Sequence, residues 1–153
     1  MTAVIQRVSS ASVTVDGKMV GECGRGLCIL LGVARGDEEI DAEALAKKIS
    51  GLRIFEDENG KMNLSVRDIG GSALAVSNFT LLASYKKGNR PDYMGAESPE
   101  RANELYEYFC KRLSEAEGIP TQRGIFGADM KMQINNDGPV TIVMESSVLL
   151  GKK

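Results

Sequence analysis

Only two stretches of this 153-residue chain repeat apolar residues at helical spacing, and that scarcity restricts the folds open to it. Between Glu38 and Leu52, the residues Ile40, Leu45, Ile49 and Leu52 recur with helical period. Glu39, Glu43, Lys47 and Lys48 fall largely on the other faces. Between Ser98 and Gly118, one apolar stripe runs through Ala102, Leu105, Tyr106, Phe109, Leu113 and Ala116. Ser98 stands as its cap, Pro99 at its first position and Gly118 at its end. A parallel doubly wound sheet needs a crossover for almost every strand, and two helices do not supply them. The pattern therefore predicts a single α+β domain: mainly antiparallel β-sheets forming a barrel-like core with two covering helices.

The strands account for most of the remainder. Ala3–Val8 and Ala11–Val15 alternate apolar and polar residues, Asp16-Gly17 is a strong hairpin turn, and Lys18–Glu22 is the return strand. Leu27–Val33 is apolar enough for a central strand, and Asp57–Gly60 is a turn. Met130–Ile134 and Val140–Met144 read as paired strands around Asn135–Pro139. Residues 146–153 carry little pattern and read as a loosely attached tail.

Composition narrows the function. A net charge of −2 leaves nucleic-acid binding to a local basic patch rather than to the whole surface. Cys23, Cys28 and Cys110 are odd in number and lack Cys-x-x-Cys spacing, so neither a disulfide framework nor a zinc site is indicated. No signal peptide is recognisable and no apolar run is long enough to span a bilayer, so a soluble, cytoplasmic protein with no membrane partner is expected. The chain has no histidine. A Ser-His-Asp or Cys-His device and a His-ligated metal are thereby excluded. Proton transfer falls to carboxylates, Lys, Tyr, backbone groups or the substrate itself.

Two stretches depart from ordinary patterning. Ala73–Leu82 begins as a buried strand after Gly70-Gly71, but Ser77, Asn78 and Thr80 interrupt it just before a polar loop. These groups either satisfy backbone donors at a strand end or hold reacting groups on a rigid platform. Asn136-Asp137-Gly138-Pro139 is either a plain turn or a rigid tip that turns carbonyl oxygens outward.

Taken together, Ser77-Asn78-Phe79-Thr80-Leu81 and Asn136-Asp137-Gly138-Pro139-Val140-Thr141 closely resemble the two signature motifs of the D-aminoacyl-tRNA deacylase (D-tyrosyl-tRNA deacylase) family. Similar residues recur along nearly the whole chain: Ile5-Gln6-Arg7-Val8, Ala11-Ser12-Val13, Arg53-Ile54-Phe55, Lys61–Leu64, Arg90-Pro91, Ser98-Pro99 and Ala128-Asp129-Met130. The resemblance implies one domain over residues 1–153. It also implies a homodimeric enzyme that hydrolyses the ester joining a D-amino acid, and mischarged glycine, to the terminal adenosine of tRNA. The family uses no metal or organic cofactor. The resemblance makes Gly138 and Pro139 a cis dipeptide that projects into the other subunit's pocket, holds the amino group and excludes L side chains. Where the family usually has Gln, this chain has Asn78, one methylene shorter.

An aminoacyl ester is already activated, so an oxyanion donor and a positioned attacking group suffice. The expected catalytic stretch is Ser77, Asn78, Phe79 and Thr80, with the backbone N–H groups around Phe79 and Thr80 as oxyanion donors and the neighbouring ribose hydroxyl helping to activate water. Thr80 as a nucleophile is the other reading, weakened by the lack of a histidine base. Lys86, Lys87 and Arg90 are the expected tRNA-backbone contacts, against a plain solvated loop. Arg7 is a pocket residue or an ion-pair partner, Met130 is pocket-adjacent by resemblance and core by pattern, and Tyr93 faces the adenosine end. Two rival classes stand beside the deacylase: a non-catalytic tRNA-end-binding module, and a Thr- or Ser-dependent hydrolase of small esters.

Overall fold

The computed structural model describes residues 1–152 and is built around its first strand, β1 (Thr2–Val15). Alternate residues Ala3, Ile5, Ala11 and Val13 are buried, as the two-residue period requires. One edge of β1 is shared: β3 (Gly26–Gly32) pairs with its first half and β2 (Lys18–Cys23) with its second, both antiparallel. The β1–β2 hairpin turns at Asp16-Gly17, where both residues have positive φ, as expected from sequence.

Three further strands and a small hairpin complete the sheet framework. β4 (Phe55–Glu56) and β5 (Met62–Leu64) form the separate hairpin around the Asp57–Gly60 turn. β6 (Ser72–Ser77) lies parallel to β3, and β7 (Thr121–Arg123) lies parallel to β6. β7 then returns to β2, where the Glu22 amide donates to the Gln122 side-chain oxygen at 2.8 Å. Gly21 permits that approach, since a Cβ there would sit 2.4 Å from the Arg123 carbonyl oxygen. The result is an α+β fold with a nearly closed barrel, but its sheet is mixed. The expectation of mainly antiparallel sheets is corrected by the β3–β6–β7 edge.

The last strand corrects a second expectation. β8 (Lys131–Glu145) is one strand antiparallel to β1 over almost its whole length, not two strands folded on each other. Gln6 pairs with Thr141 and Val8 with Asn136, so Asp137–Val140 bulge out opposite Arg7 alone. The turn chemistry at Asn135–Pro139 is real; it serves a bulge, not a hairpin.

Helices cover the barrel. α1 (Glu39–Ser50) buries Leu45 and Ile49, while Ile40 is left half-exposed. α2 (Pro99–Lys111) buries Ala102, Leu105, Tyr106 and Phe109 along the expected stripe. Ser98 occupies the cap position without a side-chain cap hydrogen bond. A π-helical turn, Arg112–Ala116, continues α2 and keeps Leu113 buried, but its greater number of residues per turn shifts the stripe and leaves Ala116 exposed. Each fully buried Leu or Phe contributes about 1.5–3 kcal/mol, so this one stripe fixes α2 on the sheet. Two covering helices are joined by a third, short one: the segment expected to hang loose begins with α3 (Ser146–Leu150). Ser146 is fully buried, and its hydroxyl donates to Asp41 Oδ1 at 2.7 Å while Lys152 Nζ reaches Asp41 Oδ2 at 2.8 Å. No helix among the described residues is long and apolar enough to cross a membrane.

Candidate active site

The buried run of β6 ends at Ser77, and the chain tightens into a 3-10 turn, Phe79–Leu82. Asn78 is extended there, with its amide on the Leu31 carbonyl at 2.8 Å, so the turn is anchored to the end of β3. The first N–H groups of a helical turn have no partner within it. Among the described residues the N–H groups of Phe79 and Thr80 find no acceptor elsewhere. The Thr80 hydroxyl donates to Asn78 Oδ1 at 2.5 Å.

A cleft of about 760 Å³ opens over this turn, a size ordinary for a small-molecule site. Ser77, Asn78, Phe79 and Thr80 form one wall, Tyr93–Pro99 residues another, and the Phe126–Met130 loop a third. Phe79 and Tyr93 stand edge-to-face with ring centroids 5.1 Å apart, both partly exposed at the cleft. The charged residues of the lining, Glu97 and Asp129, are both acidic. Amide donors from Ser98 (2.8 Å) and then Gly36 (3.2 Å) hold the Glu97 carboxyl below the usual range. Among the described residues no three of Cys, Asp and Glu converge to hold a metal ion. The three cysteines are buried, and burial raises each thiol above its ordinary value, with Cys28 and Cys110 pushed up to about 12.

The sequence-derived candidates therefore separate into three places. Ser77, Asn78, Phe79, Thr80, Tyr93 and Met130 meet in the cleft. Lys86, Lys87 and Arg90 lie on an exposed loop outside it, pinched at its base by reciprocal Ser84–Asp92 amide hydrogen bonds of 2.8 and 2.9 Å. Arg7, Gly138 and Pro139 form the third group and do not line the cleft of their own chain. Arg7 is buried; its Nε donates to the Asp137 carbonyl at 2.9 Å and its Nη1 to the Ile54 carbonyl at 2.8 Å. Its carboxylate contact, to Asp137, is longer at 3.7 Å. Asn136 completes the support, accepting the Val140 amide at 2.9 Å and donating to Thr141 Oγ1 at 2.8 Å. The Gly138-Pro139 bond is cis, and both residues are exposed at the crest of the bulge.

Glu97 and Phe126 were not legible as site residues. Neither stands in a motif, and only the packing of α2 and the return of the chain from β7 toward β8 bring them to the cleft.

A hydroxyl, an amide and free N–H donors around a cleft with no imidazole suit an acyl group that is already activated, handled by polarisation and positioning. Comparison with known proteins shows which family the chain is similar to. The sequence profile of the D-Tyr-tRNA(Tyr) deacylase family matches residues 4–145. A D-aminoacyl-tRNA deacylase of Persephonella marina is 61% identical over 149 residues, covering 97% of this chain and all of the relative. One of Geobacter metallireducens is 55% identical over 151 residues, covering 99% of each. Among solved structures, a c-Myc DNA unwinding element binding protein superposes with TM-score 0.89 at 44% identity, over 95% of this chain and 98% of that one. A probable eukaryotic D-amino acid tRNA deacylase shares the fold with TM-score 0.79 at 17% identity, over 95% of this chain and all of its own. The chain belongs to the D-Tyr-tRNA(Tyr) deacylase family.

Proposed function

We propose that this protein is a D-aminoacyl-tRNA deacylase. It hydrolyses the ester between a D-amino acid, or mischarged glycine, and the terminal adenosine of tRNA, in the cytoplasm, for chiral proofreading in translation. The observation that carries this reading is the turn at Phe79 and Thr80, whose N–H groups have no partner among the described residues and lie at the wall of a cleft sized for an aminoacyl-adenosine end. As the ester carbonyl becomes tetrahedral, its oxygen gains negative charge, and the Phe79 and Thr80 N–H groups stabilise it. Water attacks, aided by the adjacent ribose hydroxyl of the substrate. Phe79 and Tyr93 flank the adenosine end, and the acidic lining suits the substrate's ammonium group.

The protein works as a homodimer. The crest of the β8 bulge, held out by Arg7, enters the cleft of the partner, where the Gly138 and Pro139 carbonyls accept the α-ammonium and leave no room for an L side chain. Two features support this: the crest is exposed and outside its own cleft, and among the described residues β8 pairs only with β1, leaving its other edge open. Lys86, Lys87 and Arg90 contact the tRNA backbone.

Multiple turnover of D-tyrosyl-tRNA tests the reading against a non-catalytic tRNA-end-binding module, which would bind without releasing tyrosine. D-tyrosine methyl ester, which lacks a ribose, is expected to be cleaved far more slowly than the tRNA ester. Equal cleavage of the two would favour a small-ester hydrolase.

A further inference from the structure

A second cleft, of about 540 Å³, opens between the C-terminal half of α1, the Leu52-Arg53 connection and Leu149 of α3. Its charged lining is Lys47, Lys48 and Arg53, with no carboxylate. Some exposed cations elsewhere are paired, Arg67 with Glu117, Arg101 with Glu39 and Glu104, Arg123 with Glu107 and Lys152 with Asp41, while among the described residues the loop cations Lys86, Lys87 and Arg90 are not. Among the described residues Lys47 and Lys48 have no such partner, and Arg53 reaches only the Asn63 side-chain oxygen, at 3.2 Å. Asp68 feels the Arg53 charge but turns its carboxylate to the Ser65 amide at 2.8 Å. The carbonyls at the end of α1 favour lysines in its last turn. They do not account for Arg53, from the following segment, meeting those lysines in one cleft.

The position of this cleft supplies its ligand. The residue after Arg53 is Ile54, whose carbonyl accepts Arg7 Nη1, and Arg7 in turn holds the crest through the Asp137 carbonyl. One buried side chain thus joins the cationic cleft to the Gly138-Pro139 crest. The catalytic cleft, lined by Glu97 and Asp129, is electrostatically unsuited to phosphate, so the RNA backbone must be neutralised elsewhere. In the dimer proposed above, an RNA whose 3′ end occupies one subunit's cleft would run past the crest of the other. We infer that Lys47, Lys48 and Arg53 of the crest-bearing subunit bind backbone phosphates of the tRNA whose charged end lies in the partner's cleft. The ligand class rests on the deacylase reading above.

The test compares the unmodified protein with K47E/K48E/R53E and the milder K47Q/K48Q/R53Q. Uncharged tRNA binding is measured across salt concentrations, alongside hydrolysis of D-tyrosyl-tRNA and of D-tyrosyl-adenosine, which has no phosphate. The Glu variant is expected to bind tRNA about tenfold or more weakly near 0.1 M salt, with the slope of log affinity against log salt reduced by about 2. The Gln variant should fall between, and D-tyrosyl-adenosine should be cleaved at the unmodified rate by all three. Unchanged tRNA affinity and slope, or an equal loss on D-tyrosyl-adenosine, would overturn the inference. A protein that binds tRNA through these cations but never hydrolyses D-tyrosyl-tRNA would uphold the phosphate site and sink the deacylase reading. Hydrolysis of D-tyrosyl-tRNA with tRNA binding unimpaired in the Glu variant would do the reverse.

Discussion

The Thr80 hydroxyl donates its proton to Asn78 Oδ1, an amide oxygen that is no base at neutral pH. A nucleophilic hydroxyl needs a group able to take that proton, and among the described residues none lies against it. Thr80 and Asn78 instead brace each other across the turn that presents the Phe79 and Thr80 N–H groups. Thr80→Ala is therefore expected to lower kcat by less than about tenfold, whereas losing a nucleophile or general base costs roughly 10²–10⁴-fold. Single-turnover hydrolysis of D-tyrosyl-tRNA decides between them. On the proposed reading the same contact makes Asn78 a brace that its shorter side chain can reach. Sequence exposed the candidates here because polar groups at the end of a buried strand break an apolar run. It did not expose their partners: Glu97 and Phe126 enter the cleft from separate elements with no local signature.

At the scale of elements, α1, α2 and the β1–β2 hairpin were legible because a one-sided apolar period and a positive-φ turn are local signals. The parallel run β3–β6–β7 was not. β3 and β6 are buried almost throughout and so lose the alternation that would separate a parallel from an antiparallel neighbour, while β7 is three residues long and largely polar. The docking of α3 was hidden for another reason: beside the packing of Leu149 it uses polar contacts of Ser146 to Met1 and to the buried Asp41, which leave no periodic trace. Burial alone would raise the Asp41 carboxyl, but hydrogen bonds from Lys152, the Glu38 amide and Ser146 hold it below its ordinary value. A lowered folded pKa means that the stabilisation is complete above the unfolded value of about 3.9 and is lost as pH falls through the folded one. Asp41→Asn should cost about 2 kcal/mol at neutral pH, and its Tm should fall less steeply than that of the unmodified protein below about pH 4. Parallel Tm-against-pH curves for the two proteins would contradict this role for Asp41.

At the scale of the whole molecule, the proposed function separates the chemistry from the selectivity filter. The N–H donors lie in the cleft, while Gly138 and Pro139 stand outside it on the crest of the β1–β8 pairing, a bulge that no local reading distinguished from a hairpin. On the proposed reading the site is complete only when two copies meet. Sedimentation equilibrium is expected to give twice the 16.5 kDa chain mass, and an active monomer would remove the shared site. Gly138 has φ of 136°, and a Cβ there would lie 2.9 Å from Val140 Cγ2 and 3.1 Å from Arg7 Nη2. Gly138→Ala therefore strains the crest by about 1–3 kcal/mol and displaces its carbonyls without touching the Phe79–Thr80 turn. The most direct measurement is deacylation of matched D- and L-tyrosyl-tRNA by the unmodified protein and by Gly138→Ala. The expected result is rapid release from the D-ester, sparing of the L-ester, and a narrowed D-to-L ratio in the variant. Release of both esters at similar rates by the unmodified protein, or of neither, would contradict chiral deacylation.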